Sequence, residues 1–173
     1  YLLGSIPVAR VVTGRDLRAA GDGNPGYWNA KQTLGRRAAL PVFAGDMAKG
    51  AAAAGVGWAL ADHRWWVAYL AVAAAMVGHA WPMFDHFRGG RSVLTWAGGA
   101  IVLSPVTALL AIAALALAWL ISHSFAVAAR VGIVAYPLVQ LAIDGRYRTA
   151  TTGALMCIFG LRFVMAWRRD AAR

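Results

Sequence analysis

The stretch WAGGAIVLSPVTALLAIAALALAWLI, Trp96 to Ile121, runs 26 residues without a charge. A bilayer core about 30 Å thick takes ~20 helical residues, so the run is long for a single span. Ser104-Pro105 lies inside it, and a proline breaks a helix or begins the next one. We divide the run there into two spans. Working outward with the same criterion, Tyr1 to Val12 reads as the stump of a first span and Ala38 to Ala61 as a second, interrupted by Asp46 and Lys49. Trp65 to Trp81, Phe125 to Ile143 and Thr151 to Trp167 complete the set. The expectation is an all-α, polytopic membrane bundle of about seven spans forming one domain over residues 1–173. Because the chain opens at Tyr1 inside an apolar run, its first span reads as lacking its beginning. No internal repeat or cleavable signal peptide is recognisable.

Composition excludes most alternatives. Hydrophobic residues make up 60% of the chain and charged residues only 14%, too apolar a balance for a soluble domain of this size. Seventeen Lys and Arg stand against seven acidic residues, a net charge of +10, which invites an anionic partner. The cations lie between apolar runs of spanning length, so lipid headgroups, phosphates or acidic carrier proteins fit better than nucleic acid. The lone Cys157 lies in an apolar run and reads as packing.

Orientation follows from the excess of Lys and Arg in short cytoplasmic loops. If the first span enters the cytoplasm, that side receives Arg10, Arg15, Arg18, Lys31, Arg36, Arg37, Arg88, Arg91, Arg130, Arg168, Arg169 and Arg173. The opposite side receives Arg64, Arg146 and Arg148. A six-span reading would put the basic tail outside, so this asymmetry supports the division at Pro105.

Two loops on the basic face carry the chemistry. The first, GRDLRAAGDGNPGYWNAKQTLGRR, mixes glycines, asparagines and cations. Glycine lets backbone N–H groups approach an oxyanion, and Arg and Lys add charge; the plainer reading is a flexible connector obeying the positive-inside rule. The second, GHAWPMFDHFRGGRSVLT, places Arg-Gly-Gly-Arg at the start of a helix, where a phosphate is favoured. Its plainer reading is a turn with two anchoring arginines. Asp46 and Lys49 are three apart and share a helix face, so they can pair within the span, either as a functional group or as a packing device. His79, at the cytoplasmic end of its span, reads as a packing residue, a proton donor or a phosphate ligand. His63, His79, His86 and His123 lie on three different segments and form no metal-ligand cluster.

Six motifs in order resemble the bacterial acyl-phosphate:glycerol-3-phosphate acyltransferases. They are YLLGSIP at Tyr1 to Pro7, GxGNxGxxN at Gly21 to Asn29, DxxKG at Asp46 to Gly50, GHxxPxF at Gly78 to Phe84, FxGGxxVxT at Phe87 to Thr95 and LSP at Leu103 to Pro105. The resemblance implies a multi-pass enzyme of the bacterial inner (plasma) membrane. It would move an acyl group from acyl phosphate to glycerol 3-phosphate, forming lysophosphatidic acid without metal or cofactor, with membrane lipids as its surroundings. It places Gly23, Asn24, Gly26 and Asn29 at one phosphate site and Gly89, Gly90 and Arg91 at the other, with Asp46, Lys49 and His79 in support.

The chain departs from that pattern. Asp22 stands at the family's serine, Tyr27-Trp28 at its pair of small residues and Gln32 at its arginine. Aligned on the basic ending, Phe163 and Ala166 stand at a family His and Asn; aligned on Pro137, Ala126 and Ala129 stand at family serines, the nearest serine cluster being Ser122-His123-Ser124. These losses keep a second expectation open, that of a catalytically impaired relative serving as a lipid- or phosphate-binding subunit. A small transporter using Asp46 and Lys49 lacks a second ionisable cluster at mid-membrane.

Overall fold

The computed structural model describes residues 1–62 and 64–171; His63 and Arg173, named above, lie outside them. Among the described residues the regular structure is helical: α1 Leu2–Ser5, α2 Val8–Thr13, α3 Tyr27–Leu34, α4 Arg36–Leu60, α5 Trp65–Ala80, α6 Val93–Leu103, α7 Pro105–Ser122, α8 Phe125–Ile143 and α9 Arg146–Ala171, with short 3-10 turns at Leu17–Ala19 and Met83–Asp85.

The breaks have local causes. Extended backbone at Ile6 and the ring of Pro7 separate α1 from α2. Ser104 leaves the helical region at φ −149° and Pro105 occupies the first turn of α7, where its missing N–H is harmless, so the long apolar run divides where expected. His123 in a left-handed conformation and the Ser124 side chain, which accepts from Val127 N at 3.5 Å, turn α7 into α8. The Ser122-His123-Ser124 cluster is thus a cap and turn. Gly145 at φ +80° turns α8 into α9.

Among the described residues four apolar segments are long enough to cross a bilayer: Trp65–Asp85, Pro105–Ser122, Phe125–Ile143 and Arg146–Arg169. The other three expected spans fall on the broken α1–α2 pair, on α4 with its Asp46 and Lys49, and on α6, which has 11 residues. Leu109, Leu117, Ile121, Leu138 and Leu141 point outward and are exposed. Such an apolar exterior suits a lipid surround. Small residues set the packing: a Cβ on Gly50 would strike the Thr95 carbonyl and one on Gly98 the Met47 carbonyl, so α4 and α6 approach at backbone distance. Around that crossing Tyr69, Val72, Met76, Trp96, Leu103 and Tyr136 form the core. A polar layer closes it on the side away from the two loops. Gln140 Nε2 donates to Tyr69 Oη at 2.8 Å and to Ser104 Oγ at 3.2 Å, and Tyr136 Oη donates to the Ala100 carbonyl at 3.1 Å. Pairing of this kind offsets the desolvation of buried polar atoms.

Candidate functional site

The two glycine-rich loops and the end of α9 meet at one end of the bundle. The first loop is shaped from its own residues. Gly14 ends α2 at φ +67°, and Asp16 then caps the 3-10 turn, its Oδ1 accepting from Arg18 N at 3.0 Å. Arg18 Nε and Nη2 donate to the two Asp16 oxygens at 2.7 and 2.6 Å. The hydrogen bond from Arg18 holds the Asp16 carboxyl down to about 2 against the opposing effect of burial, and the same bond raises Arg18. Arg18 also reaches the second loop, donating to Asp85 Oδ1 at 3.1 Å and to the Asp85 and Arg88 carbonyls. Arg10 donates to the same Asp85 oxygen at 3.0 Å. Asp85 therefore ties three segments together. Nothing in the spacing of the sequence marked it.

The second loop doubles back on the end of α5. Gly89 N donates to the Ala80 carbonyl at 3.2 Å and Gly90 N to the His79 carbonyl at 3.0 Å. A Cβ at Gly89 would strike the His79 carbonyl and one at Gly90 the His79 ring, so only glycine allows this approach. From the other side Arg162 of α9, 7% exposed, donates to the Gly90 carbonyl at 3.0 Å and to the Gly89 carbonyl at 2.6 Å while lying over the Trp81 ring. In this geometry α5 takes the Gly89 and Gly90 amides and Arg162 their carbonyls. Arg162 was legible only as a cation within a span.

Asn29 is likewise engaged by backbone. Its side chain is fully buried, and Nδ2 donates to the Leu17 and Ala20 carbonyls, each at 2.9 Å. It staples the first loop from beneath. Its Oδ1 lies where a Cβ on Gly21 would be, which fixes that glycine. Asp46 and Lys49 pair as expected, at 3.0 Å and 2% and 7% exposed. Lys49 Nζ also donates to the Ile6 carbonyl at 3.3 Å, and His79 Nδ1 faces Asp46 Oδ1 at 3.4 Å. The three anchor α4 to the α1–α2 break and to the end of α5.

Two cavities open from this framework. An aqueous cleft of about 1280 Å³ is lined by Gly23, Asn24 and Gly89 together with Arg18, Arg88, Arg91, Arg162 and Arg169. An apolar groove of about 500 Å³ runs between α6, α7 and α8, from Asn24, Gly26, Trp28, Phe125 and Arg91 at one end, past Asp46 and His79, to Trp96, Ala100, Ala108 and Tyr136. Asn24 and Arg91 line both. Arg91 pairs with Asp22 Oδ2 at 3.0 Å, its guanidinium lies over the Phe163 ring at 4.9 Å, and its Nε has no hydrogen-bond partner. Beside it the first N–H groups of α6, on Val93 and Leu94, precede closure of the first helical turn and make no intrahelical bond. Phe163 lines the groove and Ala166 the cleft, so both positions that the resemblance reads as substituted face the site. Gln32 is exposed and lines neither. Among the described residues no cluster of three or more His, Cys, Asp or Glu is placed to hold a metal ion.

A cation-lined cleft joined through one arginine to an apolar groove can receive a molecule with an anionic head and a long apolar tail. Comparison with known proteins points the same way. Residues 1–172 match the family model described as glycerol-3-phosphate acyltransferase. The chain is 33% identical to glycerol-3-phosphate acyltransferase 5 of Dehalococcoides mccartyi, over 98% of this chain and 74% of that protein. It is 44% identical to the glycerol-3-phosphate acyltransferase of Rubrobacter xylanophilus, over 61% of this chain and 54% of that protein, so this match spans about half of the relative's length. The crystal structure of the integral membrane glycerol 3-phosphate acyltransferase PlsY (YgiH) in its glycerol 3-phosphate form superposes with a TM-score of 0.83 at 26% identity, covering 99% of this chain and 88% of that one. Its lysophosphatidic acid form superposes at 0.77, covering 100% and 86%.

Proposed function

Because the chain belongs to the glycerol-3-phosphate acyltransferase family, we propose that it transfers an acyl group from acyl phosphate to glycerol 3-phosphate, forming lysophosphatidic acid at the cytoplasmic face of a bacterial inner membrane. The observation that carries this reading is the position of Arg91, which lines both the aqueous cleft and the apolar groove. The groove takes the acyl chain. Arg91, Asn24 and the cleft arginines hold the two phosphates, and guanidinium groups suit phosphate oxygens through paired, charge-assisted hydrogen bonds.

In the transfer the primary hydroxyl oxygen of glycerol 3-phosphate bonds to the acyl carbon. The bond from that carbon to the phosphate oxygen breaks, inorganic phosphate leaves, and the hydroxyl proton passes to the departing phosphate or to water in the cleft. Acyl phosphate is already activated, so the chain's residues have only to position two anions and stabilise negative charge on the acyl oxygen. The free N–H groups at the start of α6 stand beside Arg91 for the second task. Seven spans, with the N-terminal end outside and the tail inside, put both loops where soluble glycerol 3-phosphate reaches them.

A non-catalytic reading is favoured by two observations: Asp22 is seated on Arg91, and the Phe163 ring, which the resemblance sets against a family His, lies under the same guanidinium. One experiment separates the two. Purified protein in lipid is incubated with palmitoyl phosphate and labelled glycerol 3-phosphate. Labelled lysophosphatidic acid that depends on the acyl phosphate is the expected result. Its absence, in a preparation that still binds glycerol 3-phosphate by calorimetry, would establish the phosphate-binding subunit instead.

A further inference from the structure

The apolar groove has a built end. On α8 its lining runs from Phe125 to Tyr136, with Ala129 and Gly132 between them. Facing them, Ala97 and Ala100 of α6 and Ala108 and Ala111 of α7 leave the channel open by being small. At its upper end the Phe125 ring stacks on Trp28 of α3, with centroids 5.9 Å apart and planes within 7°. At the lower end the Tyr136 ring, 3% exposed, meets Trp96 edge to face at 5.2 Å, and its hydroxyl is fixed to the Ala100 carbonyl. Below that ring lies the buried layer of Gln140, Tyr69 and Ser104. An acyl terminus pushed past Tyr136 would have to break hydrogen bonds that have no replacement in an apolar surround.

We infer that Tyr136, backed by Trp96, is the floor that sets acyl-chain length in this protein, a specificity role that rests on the acyl-transfer reading above. The eleven helical steps from Phe125 to Tyr136 rise about 16 Å. An extended chain advances roughly 1.2 Å per bond, the rate of a fully extended backbone, so this depth takes about 14 carbons. Shorter chains leave part of the groove unfilled, and longer ones do not fit above the Tyr136 ring.

Two arms test this. In the first, the protein is equilibrated with vesicles holding an equimolar set of non-transferable alkyl phosphates, from roughly 10 to roughly 18 carbons to bracket the estimate. The bound set is then measured by mass spectrometry. Occupancy should peak near 14 carbons and fall at least about fivefold for chains four carbons longer, or about 1 kcal/mol. Ala111→Leu, which fills the lower groove, should move the peak about two carbons shorter. Tyr136→Ala should move it longer, and Tyr136→Phe, which keeps the ring, should leave it in place. A flat profile, or the same peak in the folded Ala111→Leu and Tyr136→Ala proteins, would overturn the inference.

In the second arm the same lengths are supplied as acyl phosphates with glycerol 3-phosphate, and products are sorted by chain length. Transfer with a profile that ignores both substitutions sinks the floor while leaving the enzyme reading intact. A length-selective binding profile without any product sinks the enzyme reading while leaving the floor.

Discussion

Replacing Asp22 by serine should strengthen phosphate binding, and the structure sets how far. Asp22 Oδ2 lies 3.0 Å from Arg91 Nη1, with the two side chains 31% and 24% exposed. A pair this open to water is worth ~0.2–1 kcal/mol. An incoming phosphate must displace that carboxylate, so removing it gains at most about 1 kcal/mol, or about fivefold in affinity. Serine is the informative replacement. Asp22 Oδ1 also accepts from Asn24 N at 3.1 Å, and a hydroxyl keeps a weaker form of that turn. Arg91→Ala should cost ~1.5–3 kcal/mol, the worth of a hydrogen bond to a charged group, or roughly 10- to 150-fold. The two substitutions share one contact, so they should not add. In the Arg91→Ala background, Asp22→Ser should gain almost nothing. The assay is KM for each substrate in the lipid-reconstituted transfer reaction, with calorimetry on glycerol 3-phosphate as the binding check. If Asp22→Ser raises KM, or gives the same gain with and without Arg91, the carboxylate is not competing for that guanidinium and the reasoning fails.

Further expectations follow from the same contacts. Arg162→Ala leaves the Gly89 and Gly90 carbonyls without donors and should lower unfolding free energy by about 2–3 kcal/mol, read as a fall in melting temperature in detergent, with Arg162→Lys recovering part of it; an unchanged midpoint would mean that the loop holds itself. Asp16 is depressed from 3.8 to about 2 by Arg18, so its contribution is present in full above 3.8 and is lost as pH falls from there toward 2. Between those values wild-type stability should decline more steeply than that of Asp16→Asn in a thermal melt, and parallel declines would refute the clamp. For topology, in a Cys157→Ala background, a cysteine at Ala171 should resist an impermeant thiol reagent in intact cells and react after permeabilisation. Labelling of that position in intact cells would reverse the orientation.

The sequence disclosed the helical bundle because hydropathy and a proline are local signals. The division at Ser104-Pro105 is legible since Pro105 fits only the first turn of a helix, and the Asp46–Lys49 pair because a spacing of three fixes a shared face. What the sequence could not disclose is which side of a backbone faces a ligand. Gly89 and Gly90 read as amide donors to phosphate, yet their chemistry depends on whether His79 and Ala80 carbonyls come within reach, a tertiary fact. Asn29 carries the same ambiguity, because a polar side chain in a glycine-rich loop can equally bind a ligand or hold the loop. Asp85 and Arg162 were missed since their partners lie more than 65 residues away. Gln32 read as a lost ligand, but it faces solvent. Restoring arginine there together with Asp22→Ser should therefore do little more than Asp22→Ser alone.

The shortness of α6 has a consequence for where in the bilayer the proposed chemistry happens. Its 11 residues climb about 16 Å, whereas the 18 residues of α7, which start from the same turn at Ser104, climb about 27 Å. Measured along the helices, the Arg-Gly-Gly-Arg segment therefore stands about 10 Å short of the end of α7, and the cleft opens beside it. A lipidic donor can then present its reactive carbonyl without rising out of the membrane. Lifting even five methylenes into water would add about 4 kcal/mol to every turnover. On the proposed reading the soluble substrate makes the journey instead, descending among arginines to meet the chain where it lies.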